Sequence, residues 1–203
     1  MGGERILVLG IGNLLWADEG FGVRVVEALH QHYELPDNVQ ALDGGTQGLY
    51  LLPYLEEATG VVIVDAIDYG LPPATLRVLR DDEVPAVLSA RKVSLHQTGF
   101  QEVLALLRLR GKTPPTLRLV GVQPELLDDY GGGLTPAIAA RIEPAIALVL
   151  EILDREFGVV PTRRAGAESL IAPALVRSAY EGGRPSAEDA CRIGDERVLV
   201  HWR

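Results

Sequence analysis

The chain has 203 residues, 47% hydrophobic and 23% charged, the balance of a globular protein and not of a disordered one. Its formal net charge is −9, with 12 basic against 22 acidic residues in 1–158 and 7 against 6 beyond, so the acidity sits in the main body; this argues against a nucleic-acid partner, whose phosphates need clustered Lys and Arg. No apolar run approaches the ~18 residues of a membrane span, and a single cysteine, Cys191, excludes both a disulfide within the chain and a cysteine-based zinc site.

The first predicted element is a buried strand over Arg5–Gly10, apolar without alternation, as in a parallel sheet covered on both faces. No charged leader with a separate apolar stretch precedes it, so the expectation is a cytoplasmic protein without a signal peptide. A loop runs from Ile11 to Gly22. Val25, Val26, Leu29 and Tyr33 then recur at helical spacing, which predicts a helix to about His32, ended by Pro36. Val39–Asp43 reads as a second strand closed by Gly44-Gly45. Leu49, Leu52 and Leu55 suggest a second helix, with Pro53 as an irregularity.

Val61–Val64 is the clearest strand and ends at Asp65. Ala74–Leu79 alternates between turn signals and reads as a strand at an edge, followed by the acidic run Asp81-Asp82-Glu83. Phe100, Val103, Leu104 and Leu107 mark a third helix, with Gly111 as its stop. Leu117–Val122 is another strand. Thr135-Pro136 opens a long fourth helix, Thr135 as N-cap and Pro136 in the first turn, with Ile138, Ile142, Ala145, Val149 and Leu153 as its apolar stripe. The order predicts an α/β fold, a three-layer, mostly parallel twisted sheet of about five strands with helices on both faces. The body spans 1–158. Residues 159–203, rich in Arg, Gly, Pro and Ala, read as a loosely structured tail in which Val198–Val200 forms a short strand.

Ligands of an open α/β sheet bind where strands end at their carboxyl edge. Three reactive side chains lie just after or beside such ends. Glu19 follows the first strand in Gly10-Ile11-Gly12-Asn13-Leu14-Leu15-Trp16-Ala17-Asp18-Glu19. The opening Gly-x-Gly suggests a dinucleotide site, but Leu15 stands where the third glycine belongs, and no Lys-Ser/Thr pair makes a phosphate loop. One carboxylate of Asp18-Glu19 capping the next helix is the structural alternative. Asp65 ends the strand beside the first; its alternative is an Asx-turn. His96, in His-Gln-Thr-Gly just before the third helix, is otherwise a capping or core histidine. Two carboxylates and an imidazole suit a divalent transition ion with open positions, not a closed structural site. No His-Glu-x-x-His, no Gly-x-Ser-x-Gly and no cysteine in the body supports standard peptidase chemistry.

The stretch Gly10–Gly22 resembles the N-terminal signature of hydrogenase maturation endopeptidases. So do Asp43-Gly44-Gly45-Thr46, Asp65-Ala66, His96-Gln97-Thr98-Gly99, Leu119–Glu125 and Gly133-Leu134-Thr135-Pro136, in that order along residues 4–158. The resemblance implies a phosphorylase/hydrolase-like sheet with one antiparallel strand. It implies removal of a C-terminal extension from the nickel-loaded precursor of a nickel-iron hydrogenase large subunit. It also implies that Glu19, Asp65 and His96 interact with nickel brought by that substrate, both as metal-reading and as catalytic residues. Asp43, Gly44, Gly45 and Thr46 become candidate substrate contacts, with a tight turn as the alternative. The rival expectation is a non-catalytic nickel-binding chaperone of hydrogenase assembly.

Overall fold

β1 (Ile6–Ile11) is apolar and buried at every position, the condition of a strand whose sheet is covered on both faces. The computed structural model describes residues 4–90 and 95–183, with the side chains of 89, 90 and 95–98 outside that description. Among these residues five strands form one sheet in the order β3 (Val39–Gly45), β1, β4 (Gly60–Ala66), β6 (Thr116–Val122), β5 (Leu76–Arg80). All neighbours are parallel except β5, which runs antiparallel to β6 at the edge. This is the mostly parallel sheet with one antiparallel strand that the resemblance implies.

Strand alternation divides the core in two. Val8, Val62, Val64 and Val120 face α1 (Phe21–His32) and α6 (Ile142–Phe157). Leu9, Val61, Ile63 and Leu119 face α2 (Leu52–Glu57), α3 (Glu83–Ala90) and α4 (Leu95–Leu109). Each fully buried side chain such as Phe21, Leu29 or Leu107 contributes about 1.5–3 kcal/mol through removal from water. From β1 the chain passes through α1 to β3 on one side, while β4 lies on the other. This reversal opens a crevice beyond the carboxyl ends of β1 and β4. Helix α1 reaches that point because Gly22 carries no side chain: a Cβ there would lie 2.1 Å from the Val64 carbonyl oxygen and 2.3 Å from that of Ile11.

The structure departs from the sequence expectations in several places. The fourth helix is broken, a single turn α5 (Pro136–Ala139) being followed by α6 from Ile142. Pro144 explains the break, since its ring excludes the carbonyl of Ala140 from a helical position and it lacks an N–H, so α6 can start only just ahead of it. Thr135 makes no side-chain cap. Pro53 opens α2 within its first turn, after a 3-10 turn at Gly48–Leu51. Helix α3 follows the acidic run at Asp81–Glu83, where no helix is expected. Helix α4 begins at Leu95, so His96 lies in its first turn and not ahead of it.

The tail is not loose where it is described. β7 (Thr162–Arg163) pairs antiparallel with β2 (Tyr33–Glu34), and α7 (Arg177–Gly182) follows a 3-10 turn at Pro173–Leu175. The expected strand Val198–Val200 lies outside the described residues. No helix among the described residues is long and apolar enough to cross a membrane.

The Gly22 contact is with backbone on two strands, which cannot give way. Gly22→Ala is expected to lower stability by about 3 kcal/mol, at the upper end of overpacking costs. Urea unfolding checks this, and a loss below about 1 kcal/mol would mean that α1 can lift without cost.

Candidate functional site

The carboxyl edge of the sheet is built from four loops. Residues 12–20 follow β1, 46–51 follow β3, 67–75 follow β4 and 123–135 follow β6. None of these segments contains Lys or Arg, although the chain has 19 such residues. They carry Asp18, Glu19, Asp68, Glu125, Asp128 and Asp129, with Asp43 and Asp65 at the adjoining strand ends. An edge with one sign of charge raises the local concentration of cations.

Glu19 is half-buried in a 3-10 turn, Ala17–Gly20. The turn packs beside Gly12, whose absent Cβ would lie 1.9 Å from the Glu19 carbonyl oxygen. The Gly-x-Gly motif therefore serves a close backbone crossing, not a dinucleotide. Ala17 is held at φ 38°, the left-handed region, a local strain of the kind that clusters at functional segments.

Asp18 takes a role that the sequence reading assigned to neither carboxylate. It is fully buried, and instead of capping α1 it grips the loop after β6. Its Oδ2 accepts from the backbone N–H of Glu125 (3.0 Å) and Leu126 (2.8 Å), and its Oδ1 from that of Thr135 (2.7 Å). The Thr135 hydroxyl adds a longer bond to Oδ2 at 3.3 Å, so the predicted helix cap is spent on Asp18. Backbone bonds complete the join, from Gly131 N to Leu15 O at 2.7 Å and from Ala17 N to Gly132 O at 3.1 Å. Trp16 and Tyr130 meet edge to face above it, ring centroids 5.3 Å apart.

Asp65 is the penultimate residue of β4, on the face covered by α4, two residues beyond Ile63. It is 2% exposed, and its Oδ1 accepts from the Ala66 N–H at 2.7 Å. Across the ladder it pairs with Gly121. The Tyr69 hydroxyl occupies the space above Gly121, 1.9 Å from where a Cβ would stand. Burial first, and then the Asp65 charge, push the Tyr69 hydroxyl pKa above its usual 10, against the pull of Arg77. The loop between them is fixed by Gln123, 7% exposed, whose Oε1 accepts from the N–H groups of Tyr69 (2.7 Å) and Leu71 (3.1 Å) while its Nε2 donates to Asp68 at 3.0 Å. Gln123 carries no periodic signal; the clues to it were its place between an apolar strand and Pro124 and its position inside the Leu119–Glu125 motif.

His96 stands in the first turn of the helix that covers the Asp65 face; its side chain lies outside the described residues. The start of α4 is brought to the same edge by Gly99 and Gly48, where a Cβ on Gly99 would be 3.8 Å from the Gly48 Cα. Backbone placement therefore gathers the Glu19 turn, the end of β4 and the start of α4 at one edge. Among the described residues no three His, Cys, Asp or Glu side chains are grouped closely enough to hold a metal ion by themselves.

Asp43 goes the other way. It follows Val39 and Ala41 toward the α1 face, and burial raises its pKa, with Glu27 adding to the rise and the Gly45 N–H and Arg24 opposing it. Gly44 and Gly45 form the turn that bonds to β1 through Gly12 N and Gly45 O at 3.1 Å.

A model described as HycI, hydrogenase maturation protease, matches residues 23–152. A hydrogenase expression/formation protein HupD from Thiocapsa roseopersicina is 60% identical over 97% of this chain and 90% of its own length. HupD from Rhodobacter capsulatus is 56% identical over 97% of this chain and 93% of its own. The structure of the hydrogenase maturating endopeptidase HybD from E. coli superposes with a TM-score of 0.75 at 50% identity, covering 79% of this chain and 98% of that one.

Two substitutions check the roles of the buried acids. Asp18→Asn keeps the shape but replaces a charge-assisted acceptor by an amide that can accept at only one atom, and an expected loss of about 3 kcal/mol should appear in denaturant unfolding. Asp43→Asn is expected to stabilise. The folded pKa of Asp43 is raised, so its charged form is disfavoured by the fold. The gain should therefore grow as pH rises from about 4 through the folded pKa, and vanish at lower pH, where Asp43 is protonated folded and unfolded alike. A gain largest in acid would contradict this.

Proposed function

Because the chain belongs to the hydrogenase maturation protease family, we propose that it removes the C-terminal extension of a nickel-iron hydrogenase large subunit by reading the nickel already inserted there. The enzyme is an endopeptidase, a hydrolase of peptide bonds, and its substrate is a hydrogenase large-subunit precursor. What the proposal adds is the nickel-loaded state of that precursor and the three side chains that sense it. Nickel belongs to the substrate, held by substrate cysteines. Glu19, Asp65 and His96 complete its coordination when the precursor docks.

The observation that carries this reading is the edge itself. The turn with Glu19 and the strand end with Asp65 close neighbouring strands at the sheet's reversal point, among loops without a single cation. Hard oxygen donors together with an imidazole suit a divalent transition ion, and a set that the substrate must complete suits transient recognition better than retention. Docking would then fix the scissile peptide at the crevice, with the turn Asp43-Gly44-Gly45-Thr46 lining its β3 side. Two routes for the water are compatible with this arrangement: polarisation of the peptide carbonyl by nickel, or proton abstraction by a carboxylate. The proposed setting is the cytoplasm. A nickel-binding chaperone would use the same three residues without cleavage; family membership favours hydrolysis.

Replacing Glu19 by Gln, Asp65 by Asn or His96 by Ala is expected to slow processing of nickel-loaded precursor by about 100-fold or more, the scale on which lost positioning acts. Intact-mass measurement of the large subunit reads this directly. Normal processing by both the Glu19 and the His96 variants would remove the assignment.

A further inference from the structure

Helix α1 carries a buried ion pair that the reaction proposed above does not use. Arg24 and Glu27 are each 5% exposed, with Nη1 and Oε2 3.2 Å apart. Burying such a pair costs desolvation, and its retention is better explained by specificity than by net stability. Besides a long bond from Gln31 Nε2 to Glu27 Oε1 within α1 at 3.4 Å, both charges find partners in the segment after α6. Arg24 Nη1 donates to the Leu175 carbonyl at 2.5 Å, and the Ser169 hydroxyl donates to Glu27 Oε1 at 3.0 Å. Further upstream, Arg164 donates from its backbone N–H to His32 O at 2.8 Å and from Nη2 to His30 O at 2.6 Å. Ile171 is 7% exposed. Residues 159–183 thus cross α1 as a strap bonded at several points.

The far end of the strap reaches the catalytic edge. In α7, Arg177 Nε holds Glu181 Oε1 at 2.9 Å, and that same oxygen would be 2.6 Å from a Cβ on Gly133. Gly133 sits in the loop that Asp18 grips. Its neighbour Gly132 accepts from Ala17 N, and Thr135 donates to Asp18. Glu19 is the residue after Asp18. On the other side of α1, the Asp43 carboxyl lies within electrostatic reach of both Arg24 and Glu27. The strap therefore touches the supports of two of the four edge loops. The family model matches residues 23–152, whereas the HupD relatives align over 97% of this chain, a span too long to leave the strap out.

We infer that residues 159–183 are a positioning strap, latched by Arg24 and Glu27 and seated on Gly133, which holds the 123–135 loop against the Glu19 turn and so sets the rate of precursor cleavage. This rests on the reading that Glu19 engages the substrate's nickel. Arg24, Glu27 and Glu181 touch no substrate; they act through the loop.

The test uses the full chain. Replacing the buried pair together, Arg24→Met with Glu27→Met, removes the latch without leaving a lone buried charge, an exchange that is often neutral or stabilising for a body of this kind. Glu181→Lys places like charge beside Arg177 and loosens α7 from outside the body, so it remains informative if the double variant folds poorly. Hydrogen exchange read by mass spectrometry should accelerate in 159–183 and also in 125–135 for both variants, with the melting temperature preserved. On nickel-loaded precursor, kcat should fall about 10-fold while KM stays within about twofold, the size of effect expected from disturbing the supports of a metal-reading shell. Unchanged exchange in 125–135 would overturn the link to the loop, and unchanged kcat with the strap released would overturn its role in catalysis. A wild-type chain that fails to cut the precursor would instead sink the functional reading, while the exchange arm would still decide whether the strap governs the loop.

Discussion

The buried carboxylate of Asp18 is the interaction on which the working edge depends. The loops after β1 and β6 meet through one ring contact, Trp16 on Tyr130, and leave Leu15 and Leu126 exposed. They are joined because one fully buried acid accepts three backbone N–H bonds from the second loop while riding on the first. A buried charge is tolerated only when donors replace water, and here the donors come from residues 125–135. That requirement makes the join obligatory: the loop must be seated wherever Asp18 is folded in. The neighbour Glu19 is thereby held at the crevice, half-buried.

The pleat of the sheet then separates two tasks. Asp65 points to the α4 face, toward the helix whose first turn contains His96, and Tyr69 and Gln123 fix the loop around it. Asp43 points to the α1 face, where the Arg24–Glu27 pair and the segment beyond α6 lie. The proposed metal reading and the inferred loop bracing thus fall on opposite sides of one strand layer and meet at its carboxyl edge. An acidic edge suits this chemistry at both stages, because it attracts a cationic centre carried by a protein and supplies oxygen ligands when that centre arrives.

Much of the fold was legible because the strands announce themselves. Ile6–Ile11 and Val61–Val64 are apolar without alternation, and only a doubly covered sheet needs that; Leu117–Val122 is apolar apart from Arg118. The antiparallel edge strand was legible from its alternation. What escaped had a physical reason in each case. Helix α3 is short and starts in acids that read as a solvated loop. The break before α6 comes from Pro144, whose effect depends on a carbonyl four residues earlier. Asp18 and Glu19 are indistinguishable as neighbours in sequence; the 3-10 turn sends one inward and leaves the other at the surface of the crevice. The strap has no apolar period because it is held through Arg164, Ser169 and a backbone carbonyl, so composition alone made it look loose. For the candidate site, the strand ends pointed to the carboxyl edge at which Glu19 and Asp65 both lie, whereas the contacts of Gln123 and of the Arg24–Glu27 pair join segments distant in sequence.

The central claim is that the enzyme recognises nickel through its substrate. The most direct measurement is the mass of a hydrogenase large-subunit precursor after incubation with this chain, prepared once with nickel inserted and once without. The account requires loss of the C-terminal extension from the nickel-loaded form alone. Equal cleavage of the metal-free precursor would contradict it, because Glu19, Asp65 and His96 would then have no ion to read.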